Sequence, residues 1–273
     1  MAPAQQEDVI GNYYNVILQL VKNAGKVLVE GFNNTKNVKT KSADYDLVTE
    51  YDRRIEEILI KQLSANFPGH KFIGEETMGA EKLTDAPTWI IDPIDGTTNF
   101  VHRDANCAIS VAFAVNRRLE IGIVYSPVRD QMFTAQRGKG AFLNGKPIHV
   151  SNVTDIKKSL VGQEISLAQC NTIKEKLLKR LSAVVSKAHG VRSIGTCAMS
   201  LCYVALGAWD AYQVDYLWPW DYSAGALIVE EAGGVVLSTD GSPFDVMKQS
   251  ILVTGTKQLA EDLIKTFKQA DSS

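Results

Sequence analysis

The 273-residue chain is 45% hydrophobic and 22% charged, with a formal net charge of −2. It is long enough for one large domain or two intimate halves, and its charge supplies no global basic field for nucleic acid or an anionic membrane. Its four cysteines form no CxxC pair and its four histidines no HExxH array, which fits free thiols in a reducing compartment and argues against zinc.

The opening "MAPAQQEDVIGNYYN" has neither a basic n-region nor a long apolar core, and nothing later approaches the roughly 20 apolar residues that span a bilayer. A cytoplasmic protein without a membrane partner is expected. Tyr13, Ile17, Leu20, Ala24 and Val27 recur at helical spacing and predict an amphipathic first helix that ends at Gly31 and "NNTKN". The polar, turn-like "KTKSADYDLVTEYDRR" leads into a second helix with Tyr51, Ile55, Ile58, Leu59 and Leu63 on one face, stopped by "FPGH". The period then changes. "KFIGEE" and "TWIID" read as short strands that should lie side by side, both finishing on acids. "CAISVAFAVNRRLEIGIVYSP" reads as a hairpin turning near Asn116 and Arg117, and "QMFTAQRGKGAFLNGKPIHV" adds strands around a tight turn at Asn144-Gly145.

After Ser151 the order becomes mixed, with a strand near Leu160, a helix over residues 172–185 and another after Gly195. "DAYQV" is a predicted strand, "DYSAGALIVEEAGG" a helix stopped by its double glycine, "GVVLS" and "SILVTG" late strands, and 257–269 a terminal helix. The pattern predicts a layered α/β or α+β architecture with two sheets. A single domain over 1–273 is expected, with a soft seam near 151 between a metal-binding half (1–150) and a C-terminal half (151–273).

Five acids fall at the ends of predicted elements: Asp52, Glu75, Asp92, Asp95 and Asp221. A cap or turn role explains Asp44, Asp104, Asp130, Asp155 and Asp240. It explains Glu75, Asp92 and Asp95 badly, because each closes an apolar run and carboxylates gathered at neighbouring strand ends repel one another. A hard divalent cation resolves that conflict. Mg²⁺ takes oxygen ligands and pairs protein carboxylates with phosphate oxygens, and the missing Cys/His clusters point away from softer metals. Thr97, Thr98 and Asn99 after Gly96 add polar groups able to orient a water or phosphate, so two-metal hydrolysis of a phosphate ester is the chemical hypothesis.

Three look-alikes fail. A haloacid-dehalogenase-type D-x-D-G-T signature needs acids two apart, whereas Asp92 and Asp95 are three apart. An EF-hand loop would place ligands where Ile94 and Arg103 stand. "GAFLNGKP" satisfies GxxxxGK, but Pro147 replaces the Ser/Thr of a P-loop, which leaves a turn.

"GEE" (74–76), "WIIDPIDGTTNFVH" (89–102) and "PWDYSAGALIVEEAGG" (219–234), with "DLVTEYD" (46–52) and "GVRSIGT" (190–196), resemble the inositol monophosphatases of the lithium-sensitive, Mg²⁺-dependent phosphatase superfamily. The resemblance covers nearly the whole chain. It implies an α+β fold, a layered α-β-α-β-α sandwich with two mixed sheets between helix layers, up to three Mg²⁺ ions per active site, a small phosphorylated polyol as substrate, and a homodimer. It further implies that Glu75, Asp92 and the Ile94 carbonyl hold one metal and that Asp92, Asp95 and Asp221 hold a second. Glu75 should also touch a third ion. Asp52 and Thr97 should activate the attacking water, with Glu75 counted among the catalytic groups. Gly96 and Thr97 should offer backbone N–H groups to phosphate, and Lys41 should lie near it. Asp95, Asp221 and the backbone of Cys197 complete the expected substrate contacts.

The resemblance breaks at one position. A family glutamate that contacts sugar hydroxyls lies seven residues before the metal-binding Asp of W-D, and the corresponding residue here is Val214. Asp215 is adjacent, but a slip of one residue along a strand reverses the face. Broader selectivity among sugar and polyol monophosphates is therefore expected, set against a reading in which Val214 merely packs. Another superfamily substrate, such as fructose 1,6-bisphosphate or a phosphorylated nucleotide, is the alternative activity. A non-catalytic metal-binding module ranks below it, because every metal acid is in place.

Overall fold

The computed structural model describes residues 3–41, 46–76 and 82–272. Asp44 and residues 77–81 lie outside the described residues. Helix α1 (Pro3–Asn33) leads into a ribbon of β1 (Val38–Thr40) and β2 (Leu47–Thr49), where a turn-like segment was expected, and then into α2 (Glu50–Asn66). Next come β3 (Lys71–Gly74), β4 (Thr88–Asp95) and the short helix α3 (Thr97–His102). Strands β5 (Ala108–Val115), β6 (Arg118–Ser126), β7 (Gln131–Gln136), β8 (Ala141–Leu143) and β9 (Lys146–Ile148) follow. They complete a seven-stranded sheet in chain order, parallel at β3–β4 and antiparallel elsewhere.

The second half contributes β10 (Leu160–Gln163), α4 (Asn171–Val185), β11 (Gly190–Arg192), α5 (Cys197–Ala205) and β12 (Ala211–Asp215). It ends with α6 (Pro219–Glu231), β13 (Val235–Leu237), β14 (Ser250–Thr254) and α7 (Lys257–Asp271). Its five strands run β11-β10-β12-β14-β13, parallel around β10 and antiparallel around β14. Both predicted hairpin turns form. Asn116 and Arg117 adopt positive φ (52° and 59°), as do Asn144 and Gly145 (50° and 78°), the twist that two-residue hairpins require.

Layering follows from burial. Trp89 and Ile91 of β4 pack under α1 and α2 beside Ile17, Val21, Ile55 and Leu59, while Ile90 faces the other way. That second face meets α5 and α6, which in turn carry the second sheet, and α4 with α7 closes its far side. The order is α-β-α-β-α. Strand β5 is apolar and buried along almost its whole length because helices cover both of its faces. Helix α6 is apolar nearly all round for the same reason, being enclosed between two sheets.

One inward position on α2 departs from the helical pattern read in the sequence. Glu56 is fully buried and Ile58 only half-buried. The Glu56 carboxylate accepts the backbone N–H of Glu76 at 2.9 Å, which fixes the chain end that follows β3. Asp104, Asp155 and Asp240 each accept a nearby backbone N–H, and Asp130 holds a turn at φ 52°, so their cap and turn roles stand.

The backbones of sheet and central helix approach closely at Gly122 of β6. A Cβ there would lie 2.6 Å from the Ala224 carbonyl oxygen on α6, with rigid backbone on the other side of the contact. Gly122→Ala should therefore cost about 1–3 kcal/mol, the usual penalty for overpacking. Thermal unfolding checks it; an unchanged midpoint would show that α6 can move away from the sheet.

Candidate active site

Parallel pairing of β3 with β4 aligns Gly74 with Ile91, so Glu75 and Asp92 emerge from neighbouring strand ends. Residues three apart on a regular strand point to opposite faces. Asp92 and Asp95 do not, because the pairing with β5 shifts between them: Asp92 opposes Ser110 while Asp95 opposes Ala108. One extra residue on β4 forms a bulge and brings both carboxylates into one cleft. Pro93 was the available signal, since proline within a strand marks such a break. The Asp92 carboxylate accepts the Ile94 N–H at 3.0 Å, and the Ile94 carbonyl accepts the Thr97 hydroxyl at 3.1 Å.

Helix N-termini meet these acids. Asp95 faces the start of α5, accepting the Thr196 hydroxyl and the N–H groups of Ala198 (2.7 Å) and Cys197 (3.3 Å). The Cys197 N–H, expected to face substrate, is thus engaged by Asp95, and its thiol is buried. Asp221 lies in the first turn of α6 and accepts the Trp218 N–H at 2.7 Å. Asp52 lies in the first turn of α2, where its carboxylate accepts the N–H of Thr49 at 2.8 Å and also binds the Thr49 hydroxyl. Each carboxylate sits at the positive end of a helix dipole.

Asp92, Asp95 and Asp221 offer oxygens that all lie within 4.8 Å of one another. Burial raises the pKa of Asp92 well above the carboxylate range, and the charges of Glu75, Asp95 and Asp221 raise it further. Asp221 is raised in the same way by burial, Asp95 and Glu75. Burial pushes Asp95 up to about 7 against the opposing pull of its Thr196, Ala198 and Cys197 hydrogen bonds. Without a cation these groups would share protons. The donor set is all oxygen, clustered and electrostatically unsatisfied, which fits a hard divalent ion.

Lys41 does not stand apart to await phosphate. Burial works against its charge, but Glu75 at 2.8 Å and a short contact with Glu76 outweigh that and raise its pKa. The Thr97 hydroxyl reaches Asp52 Oδ1 at 3.3 Å, and burial pushes Asp52 up to about 7. Gly96 turns the chain into α3 at φ 85°, where a Cβ would lie 2.9 Å from the Asn106 carbonyl oxygen.

Sequence reasoning assigned no role to Thr196 or Glu164, and to Asn99 only that of a polar group able to orient a water or phosphate. Thr196 caps α5 while binding Asp95, and a threonine directly before the apolar "CAMSLCYVA" was its signal. Asn99 ties α3 to the loop before β5 through the Asn106 carbonyl (2.7 Å) and to the segment before α5 through the Ile194 carbonyl (2.6 Å). Glu164 accepts the Gly195 N–H at 3.1 Å. All line the same cleft of about 690 Å³ as Glu75, Asp92, Asp95 and Asp221.

Val214 is buried in the central core, in regular register opposite Ile251. No bulge turns Asp215 into its place. Asp215 points to the opposite face and binds Lys176 (2.7 Å), Arg180 (3.0 Å) and Thr239 (2.7 Å). Burial would raise its pKa, yet those partners prevail and hold it below 3.8. Its charge therefore adds stability that is complete above that value and fades as pH falls through the lower folded pKa. Asp215→Asn, which leaves the buried Arg180 short of a partner, should cost about 3 kcal/mol at neutral pH. Urea titrations at pH 7 and below pH 3.8 should show the penalty shrinking on acidification; a constant gap would contradict the ion-pair account.

Residues 11–272 match the model of the inositol monophosphatase family. The chain is 45% identical to inositol monophosphatase 1 of Homo sapiens over 250 residues, 90% of each chain. It is 42% identical to inositol monophosphatase 1 of Solanum lycopersicum over 246 residues, 89% of this chain and 90% of that one. Among solved structures, the extragenic suppressor protein suhB of Bartonella henselae superposes with a TM-score of 0.85 at 31% identity, covering 93% of this chain and 98% of its own. The Thermotoga maritima IMPase does so at 0.86 and 27% identity, covering 96% and 98%. With the two-sheet sandwich and the clustered acids already in view, these likenesses establish that the chain belongs to the inositol monophosphatase family, whose members are phosphoric monoester hydrolases.

Proposed function

We propose that the protein hydrolyses inositol monophosphates to myo-inositol and phosphate in a Mg²⁺-dependent, Li⁺-inhibited reaction. The observation that carries this reading is the convergence of Asp92, Asp95 and Asp221 within 4.8 Å, beside Glu75. Those four residues and the Ile94 carbonyl would hold Mg²⁺. Bound there, the ion would supply charge neutralisation for the phosphoryl group and acidify a coordinated water.

The chain's own groups supply the rest. The Thr97 hydroxyl, bonded to Asp52, would orient the attacking water, and Asp52 would take its proton near neutral pH, where burial has placed its affinity. Backbone N–H groups of Gly96 and Thr97 would position the phosphate, with Lys41 adding positive charge near Glu75. The water oxygen bonds to phosphorus, the ester P–O bond breaks in line, and the leaving alkoxide collects a proton.

Val214 and Asp215 favour a second reading alongside the first, namely activity on a wider set of sugar and polyol monophosphates. Neither side chain is available to accept a hydroxyl hydrogen bond in the cleft. A substrate panel of inositol 1-phosphate, glycerol 2-phosphate and fructose 1,6-bisphosphate separates the two.

Asp221→Asn should remain folded and lose more than about a hundredfold in kcat/KM, beyond the loss typical of a residue that only supports a metal ligand. Phosphate release should likewise stop in EDTA and fall with added Li⁺. Near-normal turnover by folded Asp221→Asn would refute the metal assignment.

A further inference from the structure

The outer helical layer on the seven-stranded sheet stops one helix short. Helix α2 packs on β4 and α1 on β6, so a helix sits over every second strand of a sheet ordered β3 to β9, and the next place falls over β8. Strands about 4.8 Å apart make that step about 10 Å, the distance at which neighbouring helices pack. Among the described residues no helix fills the place, and a groove of about 990 Å³ opens there. Its floor is one face of β6, β7 and β8, where Tyr125 opposes Met132 and Thr134 opposes Phe142. Its wall is a stripe of α1 from Tyr14 to Val29, about 22 Å long at the rise of an α-helix. Gly25 brings this wall down to the floor, since a Cβ there would lie 2.4 Å from the Tyr125 ring. Phe142 and Val29, one on each side, are half-buried hydrophobic residues that belong to none of the three apolar clusters of the core.

We infer that this groove docks an amphipathic helix of a partner protein, about 15 residues long, apolar toward Phe142 and acidic along the flank that meets α1. Charge assigns the acidic flank. Lys22 and Lys26 stand one turn apart on the α1 rim, both exposed, and neither is engaged by an acid among the described residues. Carboxylates one turn apart on the incoming helix would match them. The opposite lip carries Asp130, so the two flanks differ in sign and set which way round the helix lies. An added strand does not suit the place, because β8 is already paired with β7 on one side and β9 on the other. Side chains rather than backbone hydrogen bonds must therefore hold the occupant. The groove shares no lining residue with the acid-lined cleft, so docking and the site chemistry are independent.

The test selects, against the full chain, a displayed library of amphipathic helices about 16 residues long with a fixed leucine face and randomised flanks. Fluorescence anisotropy then measures the affinity of the selected peptides. They should carry acids one turn apart along one flank. Lys22→Glu combined with Lys26→Glu should weaken them about tenfold, and replacing the peptide acids with lysine should restore binding to that variant. Phe142→Asp should weaken them at least as much. The charge reversal, confined to exposed positions, keeps the test decisive even if Phe142→Asp melts early. Failure to enrich any peptide, flanks without acids, or affinities indifferent to both sets of substitutions would overturn the inference. So would a fall in the sedimenting mass of Phe142→Asp, which would give the groove to a second copy of this chain.

Discussion

Repulsion among carboxylates gathered in one cleft is the constraint around which this molecule is arranged. Two unit charges 4–5 Å apart oppose each other by about 3–4 kcal/mol even at the moderate effective dielectric of a protein interior. Three aspartate oxygens within 4.8 Å, with Glu75 adjacent, multiply that cost. The fold offsets part of it with fixed dipoles. Asp95 lies against the start of α5, Asp221 in the first turn of α6 and Asp52 in the first turn of α2. Lys41 meets Glu75 directly. What these devices leave uncompensated is the charge that a divalent cation would neutralise.

The layered architecture makes that arrangement possible. Enclosing α5 and α6 between two sheets fixes their N-termini to the same rigid core that carries the ends of β3 and β4. Gly122 lets β6 approach α6 at backbone distance, which seats the helix against the sheet whose strand β4 bears Asp92 and Asp95. Behind this front, Glu56 holds the backbone beyond Glu75, and Asn99 ties α3 to the segment leading into α5. The clustered acids stand on element ends, and the supporting contacts come from residues outside the cluster.

Much of this was legible in the sequence, because strand ends that finish on acids are physically costly and therefore informative. The apolar runs before Glu75 and Asp92 predicted neighbouring strands, and β3 and β4 pair as expected. Hairpin turns were readable from Asn-Gly and Asn-Arg steps, whose conformational demands are local. Non-local features were not. The β4 bulge depends on its partner β5, and only Pro93 hinted at it. The engagement of the Cys197 N–H by Asp95 joins residues 102 positions apart, and the partners of Asp215 come from α4 (Lys176 and Arg180) and from Thr239 after β13. Glu56, a charged residue on the buried side of α2, runs against any rule of burial by residue type, since its reason for being there is a backbone N–H twenty residues away.

The central claim remains electrostatic, and thermal unfolding of the intact chain and of Asp92→Asn, each in EDTA and in Mg²⁺, tests it most directly. The account predicts that Asp92→Asn melts higher than the unsubstituted chain in EDTA, because a buried acid that must either repel its neighbours or take up a proton is gone, and that Mg²⁺ stabilises only the unsubstituted chain strongly. Lower stability of Asp92→Asn in EDTA, with equal stabilisation of both proteins by Mg²⁺, would contradict it.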